Sequence, residues 1–274
     1  MTRGTETATR HFPELTLFSP DPQTLGSFYG DILGLPTEDA ADGSVSVRAG
    51  ESLLRLLPEQ SRAGAADAGA PSRPVAARRR YPAYHFAFFG PVNGCRGAFR
   101  WLAERVEMLT IGADDGEVFR FPWINAEAVY FADPEGNVLE ILCPSDAGED
   151  TPELVSPEAV TGICEMGLPD PDPAGVVERL EAEAGLPLWN GNRERFAMIG
   201  HLGASLIVVP STTGRLWLSS EQPCVPAPFE LISPSPHGAL RIFRRMEGAA
   251  PETRRPAGLE LSIQTAERPG IGEG

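Results

Sequence analysis

The sequence contains no lysine: all 23 of its basic residues are arginine, set against 38 acidic ones, for a formal charge of −15 at pH 7. A field of that sign repels phosphate backbones and acidic headgroups, which argues against nucleic-acid and membrane partners. Long hydrophobic runs are missing too. The longest apolar stretches, such as Phe86 to Phe89 and Leu206 to Val209, fall far short of the roughly 20 residues that a spanning helix needs. No apolar segment follows the first charges, so residues 1–11 read as a disordered lead-in rather than a signal peptide, and a soluble, cytoplasmic protein is expected. The four cysteines are widely spaced and form no Cys-x-x-Cys pair. Zinc-ribbon and dithiol redox readings therefore fail, and free buried thiols are expected. Four histidines, at positions 11, 85, 201 and 237, leave little room for chemistry that consumes several imidazoles.

What is present is enough apolar residue, 42% of 274 positions, for one large domain or two compact ones. Read against itself, the chain repeats. Glu14-Leu-Thr-Leu-Phe-Ser-Pro-Asp-Pro matches Glu165-Met-Gly-Leu-Pro-Asp-Pro-Asp-Pro, and both copies reach Gly-Leu-Pro 22 residues after the glutamate, at Pro36 and Pro187. Between these landmarks, apolar residues three and four apart predict helices over Thr24 to Leu33 and Ala174 to Ala184. Ser19 or Asp21 before the first, and the Asp-Pro pairs at 170–173 before the second, are suited to start them. Each copy closes in an apolar strand, Ser52 to Pro58 and Ser205 to Pro210.

A more diverged copy lies between them. Its strand Tyr84 to Phe89 precedes an amphipathic helix near Cys95 to Val106, then strands around Val118 to Phe121, Glu127 to Phe131 and Val138 to Leu142. Asp133-Pro-Glu-Gly136 predicts a type I turn joining the last two. The Ala-, Gly-, Pro- and Arg-rich segment 60–80 reads as a linker, and the acidic stretch 147–157 as a domain boundary. After Pro210 come a tryptophan-containing segment, a possible strand at Phe229 to Ser233, an arginine-rich piece and a last strand near Gly258 to Gln264. No complete fourth module is visible.

The segment Tyr130-Phe-Ala-Asp-Pro-Glu-Gly-Asn-Val-Leu-Glu-Ile-Leu142 resembles the closing hairpin of the glyoxalase, bleomycin-resistance and extradiol-dioxygenase superfamily, the vicinal oxygen chelate proteins. Phe28-Tyr29 followed by Leu33-Gly34-Leu35 resembles that family's first helix and its exit. The resemblance covers residues 12 to 143 well, 160 to 210 weakly and the tail not at all. It implies an α+β fold of tandem βαβββ modules, with residues 12–59 and 81–146 paired around a cleft. Residues 158–274 then form a third module with a C-terminal extension.

In such a fold, metal ligands on first and fourth strands converge without any loop having to order itself. The resemblance places them at Glu14, His85 and Glu140, while the fourth position falls at or beside Leu54, which cannot bind a metal. Pairing position 140 with Val129 across the turn would put Glu127 on the same face, as a base. Tyr130, Phe86 and Phe88 would face the helices, and Glu165 would be a structural vestige of the repeat. Arg55 and Trp123 complete the candidates as substrate-binding residues, Arg55 also being able to neutralise Glu14 internally. The implied protein is a monomeric or dimeric enzyme holding one divalent ion (manganese, iron, nickel or zinc) and acting on a small oxygenated compound. A metal-free protein that sequesters a small molecule, of the bleomycin-resistance kind, is the alternative.

Overall fold

The computed structural model describes residues 11–59, 82–109, 118–146, 157–218, 220–247, 255–256 and 258–264. The expected linker, most of the lead-in and most of the acidic boundary lie outside them. Three βαβββ modules are present. The first comprises β1 (Glu14–Ser19), α1 (Pro22–Ser27, extended by a wide turn over Phe28–Ile32), β2 (Thr37–Asp39), β3 (Val45–Ala49) and β4 (Ser52–Pro58). The second comprises β5 (His85–Phe89), α2 (Cys95–Ala103), β6 (Met108–Leu109), β7 (Phe119–Phe121), β8 (Ala126–Ala132) and β9 (Val138–Pro144). The third comprises β10 (Gly162–Asp170), α3 (Pro173–Ala184), β11 (Leu188–Asn192), β12 (Phe196–His201) and β13 (Ala204–Pro210). After it come β14 (Phe229–Ser235), β15 (Gly238–Arg244), the short pair β16 (Met246–Glu247) and β17 (Arg255–Pro256), and β18 (Glu260–Gln264).

Local chemistry explains the helix starts. Asp21 and Asp172 accept hydrogen bonds from the amides of Thr24 and Gly175, and each is followed by a proline at the first helical turn. That proline has no amide hydrogen to leave unpaired and a ring that presets the helical φ. Gly185 ends α3 in the left-handed conformation, at φ 67°.

In each module the first and last strands run parallel and adjacent: β1 with β4, β5 with β9 (the second module carrying one extra short strand), β10 with β13. Two large sheets result. One has the order β18-β15-β14-β1-β4-β3-β2, and the other β11-β12-β13-β10-β5-β9-β8-β6, with β7 added beside β8. The second module therefore joins the third, through antiparallel β5 and β10. The first module joins the C-terminal strands, through β1 and β14. This corrects the expectation that residues 12–59 and 81–146 pair with each other.

One continuous apolar core takes in side chains of both sheets and all three helices, among them Leu15, Leu54, Tyr29, Phe86, Phe88, Leu102, Leu168, Leu180 and Ile242. Polar ties cross between the sheets. The Ile163 amide donates to Ser52 Oγ at 2.7 Å, and the Tyr84 hydroxyl donates to the Pro228 carbonyl at 2.7 Å. Gly50, at φ 56°, lies so close to the Thr161 backbone that a Cβ there would collide with it. A smaller apolar cluster, including Ala87, Tyr130, Leu142, Met198, Ile207 and Trp217, lines the opposite face of the nine-stranded sheet.

Candidate metal centre and substrate cavity

Strand register builds the site. Tyr130 lies beside Glu140, Glu140 beside Ala87, Ala87 beside Glu165, and Glu165 beside Ser205, a row across β8, β9, β5, β10 and β13. Laterally paired residues point to the same face. The row therefore aims a hydroxyl and two carboxylates at one face, with the small Ala87 leaving space between the acids. His85, two residues from Ala87, shares that face. Ligand atoms of His85, Glu140 and Glu165 all lie within 4.8 Å of one another, and all three residues are buried.

Each group is prepared for a cation. His85 Nδ1 lies 3.0 Å from the Val138 carbonyl. A carbonyl only accepts, so the proton sits on Nδ1 and the Nε2 lone pair is free. Burial depresses the imidazole to about 4, against the opposing effect of the Val138 hydrogen bond. Burial pushes the Glu140 carboxyl up to about 8, while the hydrogen bond with Tyr130 pulls it down. Glu165 is held well above the ordinary carboxylate range, by burial first and then by the charge of Glu140. The 3.7 Å contact between His85 Nε2 and Glu140 is thus, near neutral pH and without a cation, a neutral imidazole against a protonated acid. Glu165 Oε1 is buried with no hydrogen-bond partner. Two buried acids and a lone pair around one point, one oxygen unsatisfied, are costly alone and fit a divalent ion, which would offset the charge and take the free lone pairs.

The trio sits in the wall of a cavity of about 380 Å³. The rest of the lining is largely apolar: Phe121, Trp123, Ile124, Leu142, Phe196, Met198, Ile207, Leu216, Trp217 and Leu218, with Tyr130 and Arg215 as the polar members among the described residues. The segment after β13 covers it. The Trp217 ring packs against His85, with centroids 4.8 Å apart, and against Gly167, where any Cβ would collide with the indole. The loop is held by the Trp217 amide on the Gln222 carbonyl at 2.9 Å and the Cys224 amide on the Arg215 carbonyl at 2.8 Å.

Of the residues expected from sequence, His85 and Glu140 converge, and Trp123 lines the cavity. Glu14 and Arg55 lie on the other sheet. There Arg55 approaches Glu14 at 3.8 Å, and Arg241 grips Glu230 through two hydrogen bonds of 2.6 and 2.7 Å. Glu127 faces away from the cavity, because the observed partner of Glu140 is Tyr130 and not Val129. It pairs instead with Arg120 at 3.1 Å. The cause is Gly136: the expected turn forms, with the Gly136 amide on the Asp133 carbonyl at 2.9 Å. Gly136 then adopts φ 77°, adding one residue to the loop and shifting the register by one. Tyr130, expected to face the helices, faces the cavity for the same reason. Glu165, read as a vestige, completes the trio. Its exact match to Glu14 was the signal, but the partner of the third module was not legible. Arg215 and Trp217, in a segment without periodicity, carried no signal.

No protein-family model matches the chain, and no curated protein does. Among solved structures, a Bacillus subtilis protein named provisionally as a dioxygenase is similar over 76% of this chain, at 20% identity and a TM-score of 0.49. This chain spans 66% of that protein, just under two thirds of its length. A glyoxalase I variant from Zea mays is similar over 85% of this chain and 87% of its own, at 12% identity and a TM-score of 0.46. A lactoylglutathione lyase from Agrobacterium tumefaciens is similar over 47% and 90%, at 25% identity and a TM-score of 0.33. Three modules, each with its first and last strands parallel and two joined through their first strands, make up most of the described chain.

The fold is α+β, built of tandem βαβββ modules. In this modular frame, equivalent positions can be compared directly. Glu140 lies two residues beyond Val138, the partner of His85. The same step leads from Glu14 through Leu53 to Arg55, and from Glu165 through Ser205 to Ile207. One fourth-strand position thus holds a buried acid, an arginine and an isoleucine. The fourth ligand position of the cavity is apolar, and the matching position on the other sheet supplies its own cation.

Proposed function

We propose that this protein is a divalent-metal-dependent enzyme in which His85, Glu140 and Glu165 hold the ion and the apolar cavity beside them receives a small oxygenated organic substrate. The observation that carries this is the convergence of three buried ligand atoms, one an unsatisfied carboxylate oxygen, in the wall of an otherwise apolar cavity. When bound, an ion with two carboxylates, one imidazole and open positions would polarise adjacent oxygens of a substrate. The chain's own groups do the rest. The Val138 carbonyl fixes the His85 tautomer, the Tyr130 hydroxyl orients Glu140, and Trp217 excludes water from the His85 side. Manganese, iron, nickel and zinc all suit this donor set. Isomerisation, lyase chemistry and ring opening are the reactions it serves. Glu127, facing the other way, is not the base. The setting is a cytoplasmic one, with a small molecule as the partner.

The test is to load the protein separately with the four metals and assay each form against vicinal dioxo and dihydroxy compounds. Turnover that needs the metal and disappears in Glu140→Gln is the expected result. Failure of every metal to bind would sink the proposal. Ile207 at the fourth position and the apolar lining favour a second reading in that event, a metal-free protein that sequesters the same kind of compound.

A further inference from the structure

Among the described residues, Arg215 is the one cationic side chain in the cavity lining, and it is exposed to solvent. It stands at the mouth. The neighbouring Leu216 and Leu218, together with Trp123, are among the most exposed large apolar side chains described, at 51%, 41% and 62%. An apolar rim of this kind marks a binding surface. The guanidinium is held but not neutralised. It lies 5.4 Å from the centre of the Phe196 ring, and Nη1 donates to the Arg195 carbonyl at 3.3 Å. Among the described residues it makes no ion pair, in a chain with 38 acidic residues. A planar fork held beside an aromatic ring, with one side-chain hydrogen bond among the described residues, is arranged to take a planar anion.

We infer that the ligand of this cavity is an amphipathic carboxylate. Its flat apolar body fills the space between Trp123, Phe196, Met198 and Leu216, and its carboxylate pairs with Arg215 at the mouth. A carboxylate suits the site better than a phosphoryl group, since the planar guanidinium matches a planar carboxylate and balances its single charge, whereas a dianion keeps a net charge at the apolar rim. The inference names the ligand class for the cavity proposed above as the substrate site. It does not depend on the metal.

The experiment uses full-length protein, in metal-loaded and chelator-treated forms, and titration calorimetry with 3-(2-naphthyl)propionate and its primary amide at low salt. A charge-assisted pair in such a site is worth about tenfold or more in affinity. The acid is expected to bind about tenfold more tightly than the amide in both forms. The preference should shrink with added salt and vanish in Arg215→Gln, whose exposed position leaves the fold intact. Equal binding of acid and amide, binding of neither, or a preference that survives Arg215→Gln would overturn it. A protein that prefers the acid but takes up no metal would refute the metal enzyme and leave Arg215 standing. One that binds metal without the preference would do the reverse.

Discussion

Glu140 and His85 differ in what they contribute to stability as pH changes. The Glu140 carboxyl, at about 8 in the folded protein, binds its proton more tightly than in the unfolded chain. It therefore stabilises the fold below the ordinary carboxylate range, and that stability is lost as pH rises toward 8. His85, depressed to about 4, acts in the opposite sense: the unfolded chain takes up a proton below about 6.5 that the folded one refuses. The two slopes oppose each other up to about pH 6.5, so metal-free protein should lose on the order of 2 kcal/mol mainly between pH 6.5 and 8, while Glu140→Gln flattens that slope. Thermal melts across pH with and without chelator measure it, and an unchanged slope in the variant would contradict the assignment. The acid Glu140 and the imidazole were legible through the resemblance, Glu140 from the closing hairpin and His85 from its first-strand position. Glu165 was legible only as a copy of Glu14. Two identical motifs meet different fates because one lies beside a strand carrying Arg55 and the other beside the strand carrying His85, a fact settled far from either motif.

At the scale of elements, the three helices and strands such as β4, β5, β8, β9 and β13 follow from periodicity and capping, while β2, β3, β11, β12 and β15 were not marked by the sequence, and the departures are instructive. Asp133 organises the β8–β9 turn, accepting from the amides of Glu135 and Asn137 at 3.0 Å each. The sequence Asp-Pro-Glu-Gly announced that turn. It did not announce that Gly136 would add a residue beyond it, and a one-residue slip exchanges the faces of a strand. This is how Glu127 and Tyr130 came to trade places. Gly136→Ala, forcing a side chain into φ 77°, should cost about 1–2 kcal/mol in urea unfolding. A variant as stable as the parent would show that the backbone there relaxes freely. On the cavity face, Ala87 separates Glu140 from Glu165. Ala87→Leu should fill that gap and abolish metal uptake while costing only about 1–3 kcal/mol of stability. Retained metal binding would mean that the ligands do not meet across that row.

The whole molecule is a tandem array whose modules exchange their expected partners. Local patterns state what each module is and are silent on which first strands will join, since β1, β5 and β10 offer similar edges. Closure is reinforced where the two sheets meet. Arg244, buried at 2% exposure, donates to the Pro169 carbonyl at 2.8 Å and pairs with Asp170. This ties β15 of one sheet to β10 of the other. Arg244→Ala strands a largely buried acid and should cost about 3–5 kcal/mol. A loss below about 1 kcal/mol would show the tie to be dispensable. The joining of the second and third modules is also what assembles His85, Glu140 and Glu165, so one measurement addresses fold and function together: the metal content, by elemental analysis after loading with manganese, of the parent, Glu165→Gln and Glu14→Gln. The parent and Glu14→Gln should retain close to one equivalent, with Glu165→Gln losing it. Metal kept by Glu165→Gln and lost by Glu14→Gln would contradict the site described here.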